Sequence, residues 1–75
     1  MYLLVLGGSD GERRLATMER YDPRNQYWTI LPPMNTARSN FGVAVIEGCI
    51  YVAGGFNGVT TIAEVECYDI AGRQW

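Results

Sequence analysis

Short apolar segments separated by glycine, proline and polar turns set the hydrophobic pattern of this chain. Residues 41–46 are apolar and partly β-branched, and Glu47-Gly48 after them suits a two-residue hairpin turn. Residues 49–53 predict the second strand of that hairpin, and residues 63–69 predict a third strand. No stretch of ten or more positions has apolar residues at helical spacing. The pattern therefore predicts antiparallel β-structure.

The first half of the chain follows the same plan. Residues 18–22 predict a strand, residues 23–25 a turn, and residues 27–31 a further strand. Pro32-Pro33 ends that strand, because proline cannot donate a hydrogen bond to a β-ladder. Residues 43–46 are apolar at successive positions, which is typical of a sheet covered on both faces.

An internal repeat becomes visible when the chain is aligned with itself at a shift of 47 residues. Residues 1–28 then align with residues 48–75 without a gap, and nine of the 28 pairs are identical. The identical pairs include glycine doublets, tyrosine and tryptophan, so chance agreement is a poor explanation. A period of this length is typical of a propeller blade or a helical repeat. Because helical spacing is absent, the repeat favours a blade of four short antiparallel strands.

Composition and charge exclude several classes of protein. The apolar fraction of 48% is that of a globular protein rather than a disordered one, and nine glycines indicate many tight turns. Six basic and eight acidic residues give a net charge of −2 with no basic stripe, so we expect neither nucleic-acid nor membrane-surface binding. The longest apolar run, residues 1–6, is too short to span a bilayer and lacks the features of a signal peptide.

Glycine pairs and aromatic residues at fixed offsets resemble the kelch repeat, most closely that of the animal kelch-like proteins. The matching residues are, in the first copy, Gly7, Gly8, Glu19, Tyr21, Asp22 and Trp28, then Met34, Arg38, Ser39 and Gly42, and in the second copy Gly54, Gly55, Glu66, Tyr68, Asp69 and Trp75. The resemblance implies an all-β fold of antiparallel four-stranded blades, a partial β-propeller. It implies that residues 1–37 hold strands two to four of one blade. Residues 38–75 would then hold the next blade without its outermost strand.

These motif residues are expected to be structural. The glycine pairs permit close approach or positive φ at the ends of strands. Four large rings suit the wedge between blades: Tyr21, Trp28, Tyr68 and Trp75. If the chain folds, replacing Trp28 by alanine is expected to cost about 3–5 kcal/mol, as for a buried large ring. Glu19 and Glu66 lie in the middle of strands and need cationic or backbone partners, and Arg38 is a candidate partner for one of them.

The resemblance also implies a partner-binding rim, because in kelch-like substrate receptors two kinds of loop surround the central pocket. One follows the double glycine and the other enters the innermost strand. The candidate rim residues are Ser9, Arg14, Phe56 and Thr61 from the first kind of loop, and Ser39 and Asn40 from the second. Such a rim of apolar, hydroxyl and single basic groups suits an extended or turn-shaped peptide. The alternative is that these are ordinary solvated loop residues.

No catalytic residue, cofactor or metal ligand is predicted. The chain has no histidine, the commonest metal ligand and general base. Cys49 and Cys67 have no basic activator beside them in the sequence and are expected to be free thiols. The segment from Gly7 to Gly11 has the wrong glycine spacing for a phosphate loop.

By resemblance, the expected function is that of a cytoplasmic protein-interaction module. It would capture a protein or peptide for a cullin-RING ubiquitin ligase, with a separate BTB domain, absent from this chain, contacting the ligase. The alternative is a cytoskeletal kelch protein that binds actin. Because stacked repeats generally need at least about three units, the chain alone is expected to be poorly folded or self-associated.

Overall fold

The computed structural model describes residues 3–75, which form two three-stranded antiparallel sheets. The first sheet contains β1 (Leu3–Leu6), β2 (Met18–Asp22) and β3 (Tyr27–Leu31), and the second contains β4 (Gly42–Ile46), β5 (Cys49–Ala53) and β6 (Val65–Asp69). Strands that follow one another in the chain lie side by side within each sheet. The described residues contain no helix. The prediction of an all-β fold of partial blades is confirmed.

The turn between β4 and β5 is the predicted two-residue hairpin. Ile46 pairs with Cys49 across it. Glu47 has a φ of 47° and Gly48 a φ of 80°. Left-handed geometry at both central positions is that of a type I′ turn, which matches the twist of the flanking strands. Glycine adopts this geometry without strain, whereas glutamate does not favour it.

The third strand of the second sheet begins later than the sequence predicts. The sequence favours a strand from residue 63, but β6 starts at Val65. The carbonyl of Glu64 instead accepts hydrogen bonds of 3.0 Å from the amide of Gly54 and from Nη1 of Arg38. The bond from Gly54 extends the pairing of β5 with β6 one position beyond Ala53 and Val65, so residue 64 lies where the loop joins the strand.

The core lies where the two sheets meet. Its buried members are Met18 of the first sheet and Ile50 and Tyr68 of the second, with Leu6, Leu31 and Trp75 packed against them. The Trp75 indole Nε1 also donates a 2.9 Å hydrogen bond to the carbonyl of Pro32. This contact joins the end of the second sheet to the segment that leaves the first. Trp75 thus lies between the sheets, as the motif predicts.

The outward face of the first sheet is open. Val5 is 51% exposed, whereas Val52, its equivalent in the repeat, is fully buried. Trp28 is 52% exposed, and its ring contacts that of Tyr21 at a tilt of 43°, with centroids 4.8 Å apart. The prediction of a buried Trp28 is therefore wrong for the described residues. A residue at the position of Val5 or Trp28 is buried only when another sheet packs over it. The sheet of β1–β3 packs over the second sheet, but no described sheet packs over the outward face of the first.

The prediction that residues 43–46 are covered on both faces is also wrong for the described part of the chain. β4 is an edge strand that pairs with β5 alone. All five of its residues are exposed, and Val45 reaches 62%. To be buried, the apolar residues of β4 need another sheet packed against each face of the strand. Residues 3–75 place no sheet against either face of β4.

The segment between the sheets binds both of them through Arg38, which is fully buried. Its Nη2 lies 2.7 Å from Oε2 of Glu66, so the predicted pairing of Arg38 with one of the two glutamates is confirmed. Nη1 donates 3.0 Å hydrogen bonds to the carbonyls of Gly54 and Glu64. The other glutamate, Glu19, has no arginine paired with it among the described residues.

Candidate functional site

The two loops that follow the glycine pairs fold in the same way. Asp10 Oδ1 accepts hydrogen bonds of 2.9 Å from the backbone amides two and three positions later, and Asn57 Oδ1 does the same. Each loop is therefore fixed by a side chain of its own. The amides of Arg13 and then Glu12 hold the pKa of the Asp10 carboxyl below its usual value.

A close backbone approach brings the second loop against the segment that enters β4. The amide of Ser39 donates to the carbonyl of Phe56 at 2.9 Å, and the amide of Phe56 donates to the carbonyl of Ser39 at 2.8 Å. Gly55 makes this possible, since a Cβ built there would lie 2.5 Å from the Ser39 carbonyl oxygen. Its φ of 97° also favours glycine. The two kinds of predicted rim loop are thus joined in one short ladder.

Arg14 extends from the first sheet onto this ladder. Its Nε donates a 2.8 Å hydrogen bond to Oγ of Ser39. Its guanidinium carbon lies 4.9 Å from the centre of the Phe56 ring, within the range of a cation–π contact. We call Arg14, Ser39 and Phe56 the arginine clamp. It is built by both sheets together, since Arg14 precedes β2 whereas Phe56 follows β5.

The predicted rim residues come together with one exception. Isolated backbone bridges join Ser9 to Arg14 and Phe56 to Thr61. Five of the six therefore form one connected cluster. Asn40 is exposed, has a φ of 56° and makes none of the hydrogen bonds that connect the others. The part of these residues in partner binding stays a prediction.

Sequence reasoning missed a cleft of about 310 Å³ between the two sheets. Its lining residues are Leu4, Arg20, Leu31, Ile50, Tyr68, Ile70 and Arg73. Ile70 follows the last residue of β6, whereas the rim loop precedes the first, so the cleft opens at the other end of the sheets from the arginine clamp. Nothing in the repeat marks these positions, because the cleft depends on the spacing of two sheets rather than on a motif.

The two thiols lie on the second sheet and are free. Cys49 is opposite Asp69 and Cys67 is opposite Tyr51, so the thiols are diagonal neighbours on one face. A hydrogen bond with the Cys67 thiol is the main cause that raises the pKa of Cys49. A raised pKa keeps this thiol protonated at neutral pH, and a protonated thiol is a poor nucleophile.

Residues 3–75 contain no group of three or more His, Cys, Asp or Glu side chains that could hold a metal ion. The same residues include no helix with the length and apolar character needed to cross a membrane.

Comparison with known proteins agrees with the repeat. The model of the kelch motif matches residues 2–35 and 37–75. Kelch-like protein 35 of Mus musculus is 43% identical over 75 residues, covering 97% of this chain and 13% of that protein. Human Kelch-like protein 31 is 36% identical over 74 residues, covering 89% of this chain and 12% of that protein.

A third relative, the influenza virus NS1A-binding protein homolog of Mus musculus, is 46% identical over 56 residues, covering 75% of this chain and 9% of that protein. The chain thus spans only 9% to 13% of the length of these three relatives. Kelch repeats are generally non-enzymatic modules that bind other proteins. With the motif matched along nearly its whole length, this chain belongs to the kelch-repeat family of protein-interaction modules.

Proposed function

We propose that this chain forms part of the substrate-recognition surface of an adaptor for a cullin-RING ubiquitin ligase. The resemblance to animal kelch-like proteins supports this role. In such an adaptor a BTB domain, which lies outside these 75 residues, contacts the cullin, and the kelch propeller holds the target. A cytoplasmic location belongs to the same proposal.

The arginine clamp is the observation that best supports a recognition surface at the predicted rim. Its backbone is fixed by the Ser39–Phe56 ladder, and its loops are fixed by their own side-chain hydrogen bonds. Binding surfaces on loops held by a rigid sheet lose little entropy when they engage a partner. The clamp also presents an aromatic ring and an arginine together, residue types that are enriched where protein partners bind most strongly.

Affinity purification of the full-length gene product tests the adaptor role. We expect a cullin to be recovered with it and target proteins to be captured in addition. A variant with Arg14→Gln and Phe56→Ala should keep the cullin and lose at least some targets, because the cullin contact lies in another domain. The matched control is Arg13→Gln, since Arg13 is exposed and outside the clamp.

Two results would contradict the adaptor role. Recovery without any cullin would overturn it. Co-sedimentation with filamentous actin, again without a cullin, would replace it with the cytoskeletal alternative.

A further inference from the structure

The cleft between the two sheets has walls whose residues are placed by the strand register. Leu4 is directly opposite Arg20 in the first sheet, and Ile50 is directly opposite Tyr68 in the second. Side chains of directly opposed residues lie on the same face of a sheet. Each pair therefore contributes to one wall of the cleft, and Leu31 of β3 adds to the first wall.

The cleft is apolar in its depth and cationic at its mouth. Ile50 and Tyr68, on the inner side, are only 1% and 3% exposed. Arg73 lies in the turn after β6 and is exposed, as is Ile70 in the same turn. A ligand in the cleft therefore has its apolar part among the buried side chains and its polar part beside Arg73.

The charged residues of the lining are both positive. Arg20 and Arg73 contribute guanidinium groups, and no aspartate or glutamate of residues 3–75 lines the cleft. Arg73 forms no ion pair with any residue in the described range. A guanidinium binds a carboxylate through two parallel hydrogen bonds, and apolar surroundings strengthen such bonds because they exclude water. The lining therefore favours a ligand with a carboxylate.

The volume of about 310 Å³ sets the size of that ligand. It lies at the lower end of the range for small-molecule sites, about 300–1,000 Å³. At about 30 Å³ for each water-sized group, the space holds about ten non-hydrogen atoms. The cleft therefore suits a small molecule rather than a peptide strand.

We propose that this cleft binds a small carboxylic acid with an apolar chain, represented by octanoate. The carboxylate pairs with Arg73 at the mouth, and the half-buried Arg20 adds positive potential in the wall. The chain packs against Leu31, Ile50 and Tyr68. Because both sheets build the cleft, the acid binds only while the sheets are packed together, and its binding stabilises their packing. This site goes beyond the proposed adaptor role, since it needs neither the rim nor a cullin.

A titration of the full-length gene product, followed through the methyl NMR signals of Ile50 and Ile70, tests this. The probes are octanoate and octanamide, which share the same chain and differ in the charge of the head group. We expect octanoate to cause a saturable shift with a dissociation constant on the order of 1 mM. Octanamide should bind roughly fivefold more weakly, because it cannot form the charged pair. Ile30, which is 84% exposed and outside the cleft, should not shift with either probe.

Variants separate the head group from the chain. Arg73→Gln should weaken octanoate binding roughly fivefold and leave octanamide binding unchanged, because it removes the charge and keeps a polar side chain. The matched control is Arg24→Gln, which lies in the corresponding turn after β2, is exposed and should change neither affinity. Ile70→Ser, followed through Ile50, should weaken both probes several-fold, because it makes the wall less apolar. Unaltered amide signals of the strands show that each variant keeps the fold.

Several results would overturn the carboxylic-acid site. They are equal affinities for octanoate and octanamide, octanoate binding that Arg73→Gln leaves unchanged, acetate binding as tight as that of octanoate, or shifts that do not saturate. The adaptor role is tested separately. A protein that recovers a cullin and its targets but gives no octanoate response would overturn the site alone, and an octanoate response without a cullin would overturn the adaptor role alone.

Discussion

Arg38 and Glu66 form a buried ion pair, with 2.7 Å between Nη2 and Oε2. The backbone of Arg38 is hydrogen-bonded to the loop of the other sheet. The amide of Arg38 donates to the carbonyl of Leu15 at 3.0 Å, and its carbonyl accepts from the amide of Gly8 at 2.9 Å. Its side chain reaches only groups of the second sheet and its loop. One residue therefore couples the positions of the two sheets.

Replacing Arg38 by methionine is expected to lower the free energy of unfolding of the full-length gene product by about 3–5 kcal/mol, because Glu66 is left buried without its counter-ion. Arg13→Met is the control. Arg13 is exposed, so its loss should change stability by no more than about 0.5 kcal/mol. Urea unfolding followed by tryptophan fluorescence measures both. Equal stability of the two variants would show that the ion pair does not hold the sheets together.

Gly55→Ala and Gly11→Ala separate steric overlap from backbone strain. The two glycines have φ values of 97° and 99°, so alanine is strained at both. A Cβ at Gly11 meets nothing within 4 Å, whereas one at Gly55 meets the Ser39 carbonyl oxygen at 2.5 Å. We expect Gly55→Ala to cost about 1–3 kcal/mol more than Gly11→Ala in thermal unfolding, the usual cost of overpacking. Similar losses would mean that the segment at Ser39 moves away freely.

Glu47→Asn is expected to stabilise the chain. Glu47 has a φ of 47° in the hairpin turn, and asparagine favours that position of a type I′ turn. The gain should be about 0.5–1 kcal/mol, a fraction of the ~1–2 kcal/mol strain of an ordinary residue in left-handed geometry. Glu12→Asn, at an exposed position without positive φ, is the control and should be near neutral. A melting temperature that falls with Glu47→Asn would contradict the turn assignment.

Asp22 should contribute to sensitivity toward acid. The side chain of Asn25 donates a 2.7 Å hydrogen bond to Asp22 Oδ2, and with the amides of Arg24 and Asn25 it lowers the pKa of the Asp22 carboxyl. This stabilisation is therefore present above the unfolded value, about 3.9, and is lost as the pH falls through the lower folded value. We expect Asp22→Asn to flatten the decline of melting temperature below about pH 4. An unchanged dependence of melting temperature on pH would show that the Asp22 carboxylate does not contribute to stability.

The 75-residue chain alone is expected to be poorly folded or self-associated. The repeat supplies a matched pair of test sites, since Val5 is 51% exposed and Val52 is fully buried. In the full-length gene product, Val52→Thr should lower the free energy of unfolding by about 1–3 kcal/mol through a buried hydroxyl, measured by urea unfolding. Val5→Thr should instead reduce self-association, because it makes the open face less apolar. Light scattering after gel filtration measures the mass of the particles and so the degree of self-association. A sharp cooperative melt of a monomer would contradict the expectation.

The strands and the Arg38–Glu66 pair could be predicted because their causes are local or repeated. Alternating apolar segments, the glycine pairs and the hairpin at Glu47 each carry their own signal in the sequence. Glu66 needs a partner because it lies in the middle of a strand. The start of β6 at Val65 was missed because the residue pattern does not mark where the loop ends and the strand begins; β2 begins at the equivalent position, Met18.

The exposure of Trp28 and the arginine clamp could not be predicted in the same way. Trp28 and Trp75 have the same motif position, yet within the part of the chain that the structure describes only Trp75 has a sheet to pack against. The contact of Arg14 with Phe56 joins loops of two different sheets, and its distance depends on how the sheets pack. Contacts of this kind follow from the arrangement of sheets, which a residue pattern does not specify.

In the loops that contain Asp10 and Asn57, the residues that fix the backbone conformation differ from the residues that are available to contact a partner. In each loop one side-chain oxygen accepts from two backbone amides and a backbone bond closes the turn, and the first loop adds a bond from the Gly11 amide to Ser9 Oγ. The side chains at positions 14 and 61 take no part in these bonds. Already the two copies differ here, with Arg14 in one where Thr61 stands in the other. A repeat of this design can change its binding preference by a few point substitutions while every blade keeps the same frame.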